Sequence, residues 1–417
     1  MGLQRHRQFL VIGLFALAAA LSQFDRQAIA ILKPMLAADL GWSDADYSTI
    51  VAWYQVSSAC ALLVAGSIVD RASLRWAAPL TVLGWSMAMI AQGWMRSVSE
   101  AVIYRIALGL FQGMGLPAAL RTISELLPAE KRSLGFGISN ASVTVGGIFA
   151  PLILPLIAVR WGWRPLMIGL GVIGIGWALA WLACYRRAAT SPPEAEEWQA
   201  TGRATTEILR SRKYQIIAMG KTFSDLTWWM MLFWLPDFFH RQFGLSVVEA
   251  GPPLAIAYGF SALGALGFGA WSSGKLARGR SPQQVRMTAL LCGLFCVVPL
   301  ATATLTTDAM VAALIVGLAL FGHQGFGVTV FAIIADEARP EELGRVLGFS
   351  AFCGNMGGML AVKATASLVA ISSGFLSVFL LAPIAYAMAI LLFARLPGLL
   401  YGKPAATGMA AARSLGR

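Results

Sequence analysis

The 417-residue chain is 58% hydrophobic and 12% charged, with a mean hydropathy of +0.69. Soluble domains carry about 25% charged residues, so the composition excludes a globular enzyme and points to a polytopic membrane protein. The net charge of +12 would suit nucleic acid, but the basic residues sit in short loops between apolar runs and are not grouped with aromatics on one face. The five cysteines, Cys60, Cys184, Cys292, Cys296 and Cys353, fall within apolar runs. They read as small buried residues, with no disulfide frame, metal site or cofactor implied. No cleaved signal is expected, because the first apolar run is too long for one and lacks a small-residue cleavage site.

Apolar runs predict twelve membrane spans: residues 9–32, 45–69, 76–95, 99–123, 133–158, 164–185, 214–239, 247–270, 284–303, 306–335, 346–371 and 374–396. The fold class expected is an all-α membrane protein of two six-helix bundles. The N-terminal bundle covers 1–185 and the C-terminal one 214–396. A cytoplasmic linker at 186–213, the one long polar connection, divides them, and a cytoplasmic tail at 397–417 follows. Most Lys and Arg flank the spans on one side. Only Lys33, Arg96, Arg160, Arg164 and Arg241 fall in loops of the other side, which places both termini in the cytoplasm.

The two halves repeat. Span four and its loop carry Gln112-Gly113-Met114-Gly115, Pro128, Glu130, Arg132, Leu134-Gly135-Phe136 and Gly146-Gly147. Span ten and its loop carry Gln324-Gly325-Phe326-Gly327, Pro340, Glu342, Arg345, Leu347-Gly348-Phe349 and Gly357-Gly358. Six spans per unit is an even number, so the repeats are parallel, and a substrate site is expected between them near the midplane.

Asp25 and Arg26 lie inside the first span, where each costs several kcal/mol unless it faces a partner or a watery cavity. A self-neutralising pair at a helix end is the bland alternative. Arg105 and Gln112 in span four are seven apart and share a helix face. With Lys363 on span eleven they form a layer of three cations and one carboxylate, suited to an anion gripped through its carboxylate. An Asp25–Arg105 bridge that merely locks helices together is the competing reading. In span seven, Lys221 and Asp225 are spaced to pair along the helix, and Trp228, Trp229 and Trp234 read as packing and interfacial belt more than as a sugar platform. His323 and Gln324 sit in mid-span ten, where a lone His is either a hydrogen-bonded core residue or a coupling group.

The loop after span two reads Gly66-Ser-Ile-Val-Asp70-Arg71, with Arg75 following. It resembles the GxxxDRxxxR signature of the major facilitator superfamily, and a worn copy without the acid follows span eight. The resemblance implies that Gly66, Asp70, Arg71 and Arg75 gate the cytoplasmic side. Phe24-Asp25-Arg26, Arg105-x-x-x-Gly109, the Lys221-to-Pro236 run and His323-Gln324 are similar to the anion:cation symporter family, with its sugar-acid branch (hexuronate and galactonate transporters) nearest. That resemblance covers nearly the whole chain. It implies proton-coupled uptake of an organic anion across the inner membrane by alternating access, by a monomer. It implies that Arg26 binds the substrate carboxylate and that Asp25 is protonatable.

The sequence departs from that pattern at Gln112, where Glu is usual, at Ser58, where a span-two Tyr is common, and at Val143, where Gln is common. Lys363 is an additional charge. Expected substrate-binding residues are therefore Arg26, Arg105, Gln112, Lys363, Ser58, Trp229, Gln324 and Asn355. Asp25, His323 and Asp225 are the candidates for proton coupling. A uniporter or exchanger, and an anion sensor that moves nothing, are the alternatives.

Overall fold

The computed structural model describes residues 2–71, 74–126, 129–184, 205–339, 342–372 and 374–396. The expected linker between 186 and 204 and the tail at 397–417 lie outside these residues. Twelve long helices are present: α1 (Gly2–Ile31), α3 (Asp44–Arg71), α4 (Leu74–Gln92), α5 (Val98–Leu126), α6 (Ala129–Trp161), α7 (Trp163–Cys184), α9 (Arg212–Phe243), α10 (Gly251–Ala277), α11 (Pro282–Val297), α12 (Ala309–Glu337), α13 (Leu343–Ser372) and α14 (Leu376–Phe393). Two short helices, α2 (Lys33–Leu40) and α8 (Thr205–Arg210), and a 3-10 turn at Val298–Thr304 complete the described chain. Eight of the long helices meet the length and hydropathy that crossing a membrane requires. Of the four others, α1 carries Asp25 and Arg26, and α9 carries Lys221 and Asp225.

The surface is the inverse of a soluble protein's. Leu266, Phe295, Leu305 and Ile371 are each more than 70% exposed, while Asp25, Lys33 and Arg105 are buried. Such an apolar exterior is stable only against lipid. The cysteines depart from the expectation of burial. None of the five is buried, and Cys60 and Cys292 are exposed, as small apolar residues on a lipid-facing surface can be.

Local chemistry sets the helix starts at the end of the bundle away from the N-terminus. Ser43 and Asp46 exchange backbone–side-chain hydrogen bonds at the start of α3, a reciprocal cap that satisfies donors the helix leaves open. At the start of α5 the Glu100 N–H donates to Ser97 Oγ, and the Glu100 carboxylate accepts from the Arg96 N–H. Pro34 opens α2, and Gly41, with φ 67°, closes it with its N–H on the Ala37 carbonyl, the left-handed stop that glycine permits. In α11 the helix tightens to a 3-10 turn where Pro299 enters.

The helices α3 and α5 cross at glycines. A Cβ on Gly109 would lie 2.1 Å from Ser57 Oγ and 2.6 Å from the Tyr54 carbonyl, and one on Gly113 would lie 2.8 Å from the Ser58 carbonyl. These close approaches hold Tyr54 beside α5. Between the halves, α3 packs on α13 and α6 on α10. Tyr47 on α3 donates a 2.6 Å hydrogen bond to the Phe233 carbonyl on α9.

Candidate functional site

Arg26 is half-buried on α1. Its Nε donates to the hydroxyl of Tyr54 at 2.9 Å, and its guanidinium carbon lies 6.0 Å from the Trp229 ring of α9. Tyr54 passes the connection on, donating to Gln112 Oε1 at 2.8 Å. Gln112 Nε2 donates in turn to the Ser22 carbonyl at 3.3 Å. Tyr54 and Gln112 thus fix the Arg26 fork from below, as a buried hydrogen-bond chain does. Arg26 has no carboxylate partner among the described residues. It lines a cavity of about 170 Å³ between α1, α4, α5 and α6, together with Gln112, Ser22, Thr81 and Trp85.

Asp25, next to Arg26 on α1, is buried. Arg105 and Arg26 are the cations that act on it. Arg105 is wholly buried, and its three guanidinium nitrogens have no hydrogen-bond partner among the described residues. Its charge rests over the Tyr54 ring at 5.8 Å, a cation–π contact. Asp25 and Arg105 make no ion pair, so the helix-locking bridge considered above is not formed. A buried charge without a direct partner is costly.

A second cavity, about 100 Å³, opens between the halves. Gln23, Gln27 and Thr144 line it from one side, and Trp228, Tyr258, Ser261 and Gln324 from the other. The Gln27 amide and the Tyr258 hydroxyl are buried with no hydrogen-bond partner among the described residues. Gln55 is also fully buried, its amide without a hydrogen-bond partner among the described residues. A Cβ on Gly358 of α13 would lie 2.9 Å from Gln55 Nε2 and 2.4 Å from Trp229. Trp229 therefore stands between Arg26 of one half and Gly358 of the other.

The remaining expected residues occupy other places. Lys363 donates across the halves to Thr49 Oγ1 at 2.5 Å, five residues closer than Tyr54 to the start of α3, so it is not in the Arg26 cluster. The backbone of Ser58 lies at the α3–α5 crossing. Asn355 donates to the Ala351 carbonyl of its own helix. Lys221 and Asp225 pair at 2.6 Å, and the Asp225 carboxylate rests against Gly354. His323 stacks on Trp228 at 5.2 Å and its Nδ1 lies 2.5 Å from the Tyr386 hydroxyl. Gly66, Asp70 and Arg71 end α3 and Arg75 is in α4, but their side chains lie outside the described residues.

Tyr54, Gln27 and Gln55 are participants that the motif reading passed over. The family pattern places a tyrosine at the position of Ser58, one turn away. The signal for Tyr54 was its spacing of four from Ser58 on the same helix face.

Two six-helix groups with a charged, cavity-lined centre and an apolar exterior define a membrane transporter. The chain belongs to the Major Facilitator Superfamily, whose family model matches residues 15–362. A probable L-galactonate transporter of Escherichia coli K12 is 24% identical over 80% of this chain and 78% of its own length. A hexuronate transporter of Bacillus subtilis 168 is 24% identical over 95% of this chain and 96% of its own. A probable sulfoacetate transporter of Cupriavidus necator is 23% identical over 79% and 80%. Among solved structures, a bacterial homolog of the human lysosomal transporter Spinster superposes with a TM-score of 0.71 at 18% identity, covering 94% of this chain and 96% of that one. A D-xylose–proton symporter gives 0.69 at 16% identity, over 94% and 98%. These likenesses establish the fold.

Proposed function

We propose that the protein takes up a small organic anion of the sugar-acid type across the inner membrane. The observation that carries this reading is Arg26, positioned by Tyr54 at a cavity and without a carboxylate partner among the described residues. A substrate carboxylate supplies what the site lacks, and arginine binds it bidentately. The names of the sugar-acid relatives support the same chemistry. In this reading the termini are cytoplasmic, the protein works as a monomer, and the halves at 1–185 and 214–396 rock about the site. Asp70, Arg71 and Arg75, spaced by Gly66, control that rocking. The remaining polar groups of the central cavities, Gln324 and Asn355 among them, meet the substrate during the cycle, as Lys363 does when the halves separate.

Coupling to protons falls on Asp25. A carboxylate arriving at Arg26 competes with Asp25 for positive charge and favours the neutral acid. His323 and Asp225 are reserves in the second half. Uptake into proteoliposomes under an imposed pH gradient tests this. Asp25→Asn is expected to lose uphill accumulation of galactonate and keep counterflow, and Arg26→Ala to lose both. Wild-type protein that binds only neutral sugars in a thermal-shift screen would overturn the anion reading.

One observation favours a second reading, exchange or uniport without protons. Gln112 uses its amide as both acceptor and donor, to Tyr54 and Ser22. An amide in that role cannot take up a proton. Downhill flux alone, whatever the pH gradient, would replace symport with this alternative.

A further inference from the structure

At the end of the bundle opposite the N-terminus, four charged side chains form a closed ring. Lys33 of α2 and Asp44 of α3 belong to the first half, and Asp237 and Arg241 of α9 to the second. Lys33 Nζ lies 2.8 Å from Asp44 Oδ1 and 2.8 Å from Asp237 Oδ2. Arg241 lies 2.6 Å from Asp44 Oδ1 and 2.8 Å from Asp237 Oδ2. The Lys33 ammonium also rests 4.0 Å from the Trp234 ring centre and 4.9 Å from that of Tyr47. Lys33 and Asp237 are buried, and Arg241 reaches out to water.

The ring has four bonds, and its division between the halves is regular. Two of them, Lys33–Asp44 and Arg241–Asp237, stay within a half. The other two, Lys33–Asp237 and Arg241–Asp44, cross between halves. We infer that this ring is a latch that closes the α2 end of the transporter and that it opens without releasing an unpaired charge. When the halves part, the two crossing bonds break together. Each half keeps one cation and one anion in contact, so neither must expose a lone buried charge, the costly outcome of splitting a simple two-residue bridge. Tyr47–Phe233 and Lys363–Thr49 cross the same end and add neutral or singly charged contacts. The latch depends on charge complementarity between halves, whatever anion is carried.

The test uses the full-length protein in oriented vesicles, with its five cysteines replaced by serine or alanine and Thr49→Cys as reporter. An impermeant maleimide measures access to that position. Exchanging the charges of the first half alone, Lys33→Asp with Asp44→Lys, keeps that half neutral but opposes like charges across the gap. The labelling rate is expected to rise at least tenfold. Adding Asp237→Lys and Arg241→Asp restores opposite charges at all four bonds and is expected to return the rate to within about threefold of the parent. An unchanged rate in the double exchange overturns the latch, as does a quadruple exchange that stays as open as the double. If the double exchange does not fold, Arg241→Gln serves instead. It removes one crossing bond at an exposed position and is expected to raise labelling about threefold, no change again being refutation. Labelling from the opposite vesicle face would correct the orientation proposed above and leave the latch intact. The readout needs no substrate, so it stands or falls separately from the anion reading.

Discussion

Tyr54→Phe isolates the positioning of Arg26. The substitution removes one oxygen and keeps the ring, so the contact with Arg105 at 5.8 Å and the edge packing on Phe233 at 6.3 Å remain. What disappears is the 2.9 Å acceptor for Arg26 and the 2.8 Å donor to Gln112. A hydrogen bond to a charged group contributes about 1.5–3 kcal/mol net. Arg26 is only half-buried and water can replace part of the loss, so the lower end of about 1.5 kcal/mol applies. At 1.4 kcal/mol per tenfold, affinity for the proposed sugar-acid substrate is expected to weaken about tenfold, with a further loss of stability from the stranded Gln112 carbonyl. Isothermal titration on purified protein measures the first and thermal unfolding the second. Parent-like affinity in Tyr54→Phe, alongside abolished binding in Arg26→Ala, would show that Tyr54 does not set the arginine and that the hydrogen bond is incidental.

Three further outcomes follow from the packing. Gly358→Ala drives a methyl to 2.4 Å from Trp229 and 2.9 Å from Gln55; overpacking of about 1–3 kcal/mol is expected to slow uptake more than tenfold while circular dichroism stays native. Gly109→Ala meets Ser57 Oγ and the Tyr54 carbonyl at the α3–α5 crossing; backbone cannot yield as a side chain can, and a lower yield of folded protein with weakened galactonate binding is expected on size exclusion and titration. Asp39 on α2 accepts hydrogen bonds from Arg164 at 2.6 Å and Trp163 at 3.0 Å, and these, the Arg164 bond foremost, hold its carboxyl below the ordinary value. A lowered folded pKa stabilises above the ordinary Asp range and is lost as pH falls through it. Protection of the α2 amides, measured against their intrinsic exchange rates, is therefore expected to fall below about pH 4 in the parent, and to be already low and insensitive to acidification in Asp39→Asn.

The long helices were legible because twelve apolar runs of membrane length leave little choice of structure. Residues 33–40 were not, because an eight-residue helix has no periodicity to speak of and Lys33 looked like an outer-loop charge. Its burial comes from partners at 44 and 237, pairings across the chain that no local pattern encodes. Arg26 was found from the cost of intramembrane charge, and its neighbour Trp229 from the aromatic run. Tyr54 was missed by one helical turn, since a motif names a position and the structure satisfies the hydroxyl from the next one along the same face. Lys363 was grouped with Arg26 by depth along the helix. Depth ignores which neighbour a helix faces, and α13 turns this lysine to Thr49.

The corner between α1 and α2 has a mechanical consequence. Although α1 ends at Ile31, part of the backbone ladder crosses the corner: Leu32 N–H bonds to the Ala28 carbonyl and Leu36 N–H to that of Leu32, while Pro34 has no N–H to give. Arg26 and Lys33 are thus seven residues apart, on two helices that meet at Leu32. Arg26 stands at its cavity on one side of this joint, and Lys33 in the ring of charges on the other. The joint at Leu32 therefore sets how much of any displacement at Arg26 reaches Lys33.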